Sequence, residues 1–110
     1  MPEFGNSFSG LANDRKLSHE ELVRAIRFMI AAEYEAVQMY TQLAESTDDD
    51  VAKAVLKDIS DEERVHAGEF LRLLKYLDSK EEEFYEDGAR EVEEIIEKIK
   101  NQATRSRKKK

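Results

Sequence analysis

The sequence predicts an all-α protein: an antiparallel two-helix hairpin followed by a C-terminal helix, completed as a four-helix bundle when two copies pair. Three observations carry that expectation. Apolar residues recur at alternating four- and three-residue steps along two long stretches, and no strand-like alternation or longer repeat competes with them. A short acidic turn, Ser46-Thr47-Asp48-Asp49-Asp50, separates the two stretches. So short a connection makes neighbouring helices antiparallel. Charged residues make up 39% of the chain and hydrophobic ones 40%, with one Pro and four Gly, a composition suited to amphipathic helices.

Residues 1–17 hold Gly5, Gly10, Asn6, Asn13 and isolated Phe4, Phe8 and Leu11, and are expected to be irregular: a leader, a docking segment or a cloning remnant. Ser18-His19-Glu20-Glu21 is a capping box, with Leu17 and Leu22 placed as a hydrophobic staple. The first helix is expected over about 19–46. Its apolar row is Leu22, Ile26, Met29, then Glu33, then Val37, Tyr40 and Ala44. The turn supplies N-caps and three carboxylates to the positive end of the second helix, expected over about 50–77. The row there is Ala52, Leu56, Ile59, then Glu63 and His66, then Phe70, Leu73 and Leu77. Ser79 with Glu82 is placed as the cap of a short third segment, and Gly88 as its C′ residue. A last helix over about 89–101 carries Val92, Ile95, Ile96 and Ile99 on one face, a stripe that must pack on the hairpin or on a neighbouring chain. The helical domain is thus 18–101. Residues 102–110, with Arg105, Arg107, Lys108, Lys109 and Lys110, form an expected basic, disordered tail.

A chain of 110 residues suits one small domain, and a hairpin of this size buries so little core that oligomerisation is expected. A net charge of −7 argues against nucleic acid as a partner. The absence of cysteine excludes disulfides, thiolate nucleophiles and iron–sulfur ligation, and fits a reducing cytoplasm. No apolar run reaches the roughly 18 residues of a membrane span, and the start of the chain lacks the features of a signal peptide.

Three polar side chains interrupt these apolar rows. Glu63 and His66, three residues apart, share one helix face and can reach one metal ion. Glu33 lies about as far before the turn as Glu63 lies after it, so the two carboxylates face each other at similar height. Buried carboxylates without partners are costly, and neighbouring ones more so. A metal ion removes that cost. Carboxylate-bridged two-metal bundles take one Glu from each of two helices and Glu-x-x-His from each of the other two. One chain here supplies half of that set. His19, the only other histidine, sits at a helix start far from His66. Two copies about a two-fold axis supply the whole set, and four Glu carboxylates then balance two Fe²⁺. Against this stand plainer alternatives: a satisfied core or interface histidine, and carboxylates on a wet seam edge. Core packing and a hydrogen bond to a metal-bound carboxylate both fit Tyr40, two turns beyond Glu33. A solvated surface charge and an acidic access route for Fe²⁺ both fit Glu35. Met29 and Met39 are read as packing residues.

The stretches Ala32-Glu33-Tyr34-Glu35-Ala36-Val37-Gln38-Met39-Tyr40 and Asp61-Glu62-Glu63-Arg64-Val65-His66-Ala67, with the turn Ser46-Thr47-Asp48, resemble the encapsulated ferritin family, within the wider ferritin and rubrerythrin-like group. The resemblance covers roughly residues 19–100. It implies a ferritin-like four-helix homodimer, further assembly into a homodecameric ring, and a ferroxidase di-iron site across the dimer interface. It also implies that Glu33, Glu63 and His66 are iron ligands, with Glu63 bridging. By the same resemblance Tyr40 bonds to a ligand carboxylate and Glu35 belongs to the iron access route. The implied partners are Fe²⁺, O₂ and an encapsulin shell that would hold the mineral, placing the protein inside an encapsulin nanocompartment. The sequence departs from the family at Ala32, where some members are acidic, and at Met39, where some have tryptophan. The tail Ala103–Lys110 lacks the small and apolar residues of a shell-docking peptide, leaving Phe8-Ser9-Gly10-Leu11 as the other stretch for that role.

The expected function is therefore a ferroxidase that oxidises Fe²⁺ with O₂ for iron storage and detoxification. The alternatives are a rubrerythrin-like peroxide reductase, which would need an external electron donor, and a non-catalytic metal-binding helical module.

Overall fold

The structure, a computed structural model, describes residues 10–108. The expectations for residues 1–9, and for Lys109 and Lys110, lie outside the described residues. Three helices follow in order: α1 (His19–Glu45), α2 (Asp50–Leu77) and α3 (Ser79–Lys108). The chain divides into two compact units, one ending at Leu77 and one beginning at Asp78.

The first unit is the hairpin. Its start is fixed by the capping box: Ser18 Oγ accepts from the Glu21 amide at 3.2 Å, and the Glu21 carboxylate accepts from the Ser18 amide at 2.9 Å. Arg15 adds a two-pronged pair to the same carboxylate, at 2.8 and 2.6 Å. That guanidinium, with the Ser18 donors, holds the Glu21 carboxyl far below the usual carboxylate range. The turn is equally determined. Ser46 donates from its amide to Leu43 and from its hydroxyl to Gln42, closing α1. Asp49 then caps α2, its carboxylate accepting from the Ala52 amide at 2.8 Å. At the far end His19 Nε2 donates to the Leu77 carbonyl at 2.7 Å, tying the beginning of α1 to the last turn of α2.

Between the helices runs a single seam. Val23, Ile26, Ile30 and Leu74 form its core, with Phe70, Leu71 and Leu77 packed against them. Val37, Ala67 and Ser60 continue the seam toward the turn. The buried Ser60 hydroxyl is satisfied there by Thr41 Oγ1 at 3.2 Å and the Val37 carbonyl at 3.5 Å.

This seam takes part of the expected rows, since Ile26 and Val37 are buried in it and Phe70 and Leu77 pack against it, and is rotated from the rest. Leu22, Met29 and Leu73, expected in the core, stay more than a third exposed, and Leu17 is exposed as well. A hairpin has one internal seam, and it takes Val23, Ile30, Ala67 and Leu74. The row Leu22, Met29, Glu33, Tyr40 on α1 and the row Ile59, Glu63, Phe70, Leu73 on α2 fall on one flank of it. Within the hairpin they make an apolar edge that its own two helices leave partly exposed.

The second unit is α3, and three expectations fail here. Asp78 rather than Ser79 is the cap: its carboxylate accepts from the Lys80 amide at 3.1 Å and its carbonyl from the Glu81 amide. Gly88 does not end a helix. A C′ glycine takes a positive φ, and among the described glycines only Gly10 does. Good helix formers on both sides, and an Arg90–Asp87 ion pair spanning the glycine, carry the helix through it. Residues 102–108, expected to be disordered, are helical. Arg105, Arg107 and Lys108 are favourable there because cations complement the negative end of a helix. Apart from Glu81, no residue of α3 is buried.

Leu74 is fully buried, so Leu74→Ala should cost about 2–5 kcal/mol of stability. Urea unfolding at fixed protein concentration measures it. Leu73→Ala, one residue away on the open edge, should cost the isolated hairpin much less.

Candidate metal centre

α1 and α2 bring Glu33, Glu63 and His66 together at mid-height of the open edge. One donor atom from each lies within 4.8 Å of the other two, the only such group of acidic and histidine side chains among the described residues. His66 Nδ1 is 3.5 Å from a Glu63 carboxylate oxygen and 3.8 Å from Glu33 Oε2. Both carboxylate side chains are 18% exposed, while the imidazole is 47% exposed. The antiparallel pairing sets the height, and the i, i+3 spacing on α2 puts Glu63 and His66 one above the other.

The donor set fits a first-row divalent ion. Donors about 2.1 Å from such an ion lie roughly 3–4.2 Å from one another at cis to trans angles. The observed separations need little change to reach that range. Glu33 Oε2 is buried and has no hydrogen-bond partner. An ionised oxygen kept from water without a donor is unfavourable. Two carboxylates and one neutral imidazole balance one doubly charged ion and suit iron, manganese or zinc better than calcium or copper(I). Three donors also leave such an ion short of a full coordination shell.

The other two expected residues are not drawn into this cluster. Glu35 is exposed and outside the group. Tyr40 is half-buried, and among the described residues its hydroxyl makes no hydrogen bond to a cluster carboxylate. The Ser60–Thr41 pair was missed by reading α2 along the Ile59–Glu63 row. Its signal was the seven-residue series Ser60, Ala67, Leu74, which marks the true seam.

Residues 20–108 match the Rubrerythrin family. The chain belongs to that family. Its ferritin-like helical domain aligns with the crystal structure of the encapsulated ferritin domain from Pyrococcus furiosus at a TM-score of 0.75 and 32% identity, over 81% of this chain and 91% of that one. Two curated relatives of this rubrerythrin-family chain are associated by name with encapsulins. The encapsulin nanocompartment cargo protein EncC of Myxococcus xanthus is 42% identical over 78 residues, which is 71% of this chain and 58% of that protein. The ferritin-like–encapsulin shell fusion protein of Pyrococcus furiosus is 35% identical over 82 residues, 74% of this chain and 24% of that protein. The chain thus spans about a quarter to somewhat over half of the length of these relatives. No helix among the described residues is long and apolar enough to cross a membrane.

The cluster should raise stability when loaded. A divalent ion at 100 times its dissociation constant should add about 2.7 kcal/mol. Thermal melting with and without Co²⁺ under anaerobic conditions measures the gain. His66→Ala should lose it.

Proposed function

We propose that the protein is a ferroxidase whose working site forms when two copies join their open hairpin edges into a four-helix bundle. The observation that carries this reading is the half-set of ligands, Glu33, Glu63 and His66, on an apolar edge with a buried carboxylate oxygen lacking a donor. Two such edges about a two-fold axis would supply four carboxylates and two imidazoles, the ligand complement of a two-iron carboxylate bundle. Covering the edge would also bury Leu22, Met29 and Leu73, whose exposure is otherwise unfavourable.

Iron would be the substrate as well as the occupant: two Fe²⁺ would give up one electron each to one O₂, which with two protons from water would leave as H₂O₂, while the Fe³⁺ departs toward a mineral. The chain's residues bind and orient. By its resemblance to encapsulated ferritins, Glu63 would be the carboxylate shared by both ions. Glu33 and His66 each complete the set on one ion. The apolar edge excludes bulk water, and ligand positions left open by so few donors admit O₂. Glu35 is assigned to the path by which Fe²⁺ arrives, and Tyr40 to a hydrogen bond with a ligand carboxylate once the bundle closes. The names of the relatives support a location inside an encapsulin nanocompartment, with the shell holding the mineral and homodimers assembling further into a ring.

The Rubrerythrin family match favours a second reading, peroxide reduction. With no cysteine, the chain has no rubredoxin-type iron site of its own and would need an external electron donor.

Loading with Fe²⁺ under anaerobic conditions and then adding O₂ separates the two. The ferroxidase consumes O₂ and develops ferric absorbance without added reductant. Turnover of H₂O₂ only when a reductase is supplied would favour the second reading, and inert binding would defeat both. Glu33→Ala and His66→Ala should each abolish oxidation, since a two-fold pair loses two ligands at once. A wild-type rate in either variant would refute the assignment.

A further inference from the structure

The hairpin edge accounts for one apolar surface, and α3 carries another. Tyr85, Ala89, Val92, Ile96, Ile99 and Ala103 follow one another at four- and three-residue steps along this single helix. That is the a/d rhythm of a coiled-coil seam. Val92 and Ile99 are 53% and 60% exposed, and Ile96 37%, so the helix does not bury this seam by itself.

The charges beside the seam say what covers it. Glu86, Glu93, Lys100 and Arg107 lie at seven-residue intervals on one flank: two acids, then two bases. The whole helix is polarised in the same sense. Between Glu81 and Glu97 acids predominate, while every charged residue from Lys98 to Lys108 is basic. A second α3 laid parallel would put acid beside acid and base beside base. Laid antiparallel, it reverses the order and matches opposite signs along the flank.

We infer that α3 pairs antiparallel with α3 of a second copy of this chain. Ile96 of each helix packs on Ile99 of the other, and Val92 on Ala103. That register sets Glu93 against Lys100 and Glu86 against Arg107, each pair occurring twice about the two-fold axis. Like-charged residues meet at none of these positions. The contact lies on a helix that supplies no ligand, so it stands or falls independently of the ferroxidase reading. A chain with two self-associating surfaces, the hairpin edge and α3, can join dimers into larger assemblies.

The absence of cysteine makes the pairing directly testable in the full chain. Val92→Cys and Ala103→Cys are produced separately and co-expressed, and each sample is oxidised mildly. The inference requires a cross-linked dimer in the co-expressed sample and its loss in either variant alone. Self-cross-linking of Val92→Cys means parallel pairing and overturns it. No cross-link in the co-expressed sample means no such contact and also overturns it. Charge variants guard against a cysteine that disturbs packing. Glu86→Lys with Glu93→Lys, and Lys100→Glu with Arg107→Glu, should each lose the larger species on light scattering while keeping helical circular dichroism. Co-expressing the two double variants should restore it, and failure to do so overturns the inference.

Discussion

A carboxylate oxygen held away from water with no donor is the constraint on which the rest depends. Glu33 Oε2 is in that position, with the Glu63 carboxylate nearby and His66 Nδ1 beyond hydrogen-bond reach at 3.8 Å. Alone, this arrangement works against the fold: two acids converge at the edge of the apolar seam. With a divalent ion the same arrangement becomes favourable, because the charge is balanced and the lone pairs are used. The Arg15–Glu21 pair is a useful contrast. There an exposed carboxylate is given a guanidinium and backbone donors from its own chain, and serves only to anchor a helix start. Among the described residues Glu21 has several donors and Glu33 Oε2 has none.

The position of the cluster on the edge of the seam, rather than within it, follows from the packing. The internal seam is narrow and small-sided toward the turn: Ser60 and Ala67 face Val37 and Thr41. The hydroxyl pair sits between helices where a slip along the axis would break it, so it helps to fix the relative height of α1 and α2. That height sets Glu33 opposite Glu63. Met29 and Leu73 are left more than a third exposed, on the same helix faces as the carboxylates.

Much of this was legible in the sequence. The capping box, the acidic turn and the i, i+3 pair are local signals, each determined by residues a few positions apart, and local chemistry reads directly. The facing of Glu33 and Glu63 needed only the turn and the helix lengths. The rotation of the seam was not legible. The expected row Leu22, Ile26, Met29, Glu33, Val37, Tyr40, Ala44 mixes residues of the seam, Ile26 and Val37, with residues of its flank, because two rows a hundred degrees or less apart compete for one partner. Which row is buried depends on how many neighbours the helix has. The residues on the open row were read as core because they are core-like. α3 misled for a different reason. Gly88 is a stop signal only when the chain beyond it leaves the helix, and strong helix formers on both sides outweighed a single glycine's cost of about 1 kcal/mol.

The two surfaces differ in kind, and the difference bears on how an assembly would hold together. The hairpin edge is apolar around a carboxylate pair whose repulsion a cation would remove, so the closure proposed above would be coupled to metal. The α3 seam is apolar between flanks of fixed opposite charge and needs no ion. Its pairing is set by sequence polarity and weakened by salt, since the charges lie at the solvent boundary. A metal-free protein would therefore retain the α3 contact while its hairpin edges remained under carboxylate repulsion. On the two proposals together, metal would govern the hairpin edge and salt the α3 seam, so the two contacts would respond to different conditions.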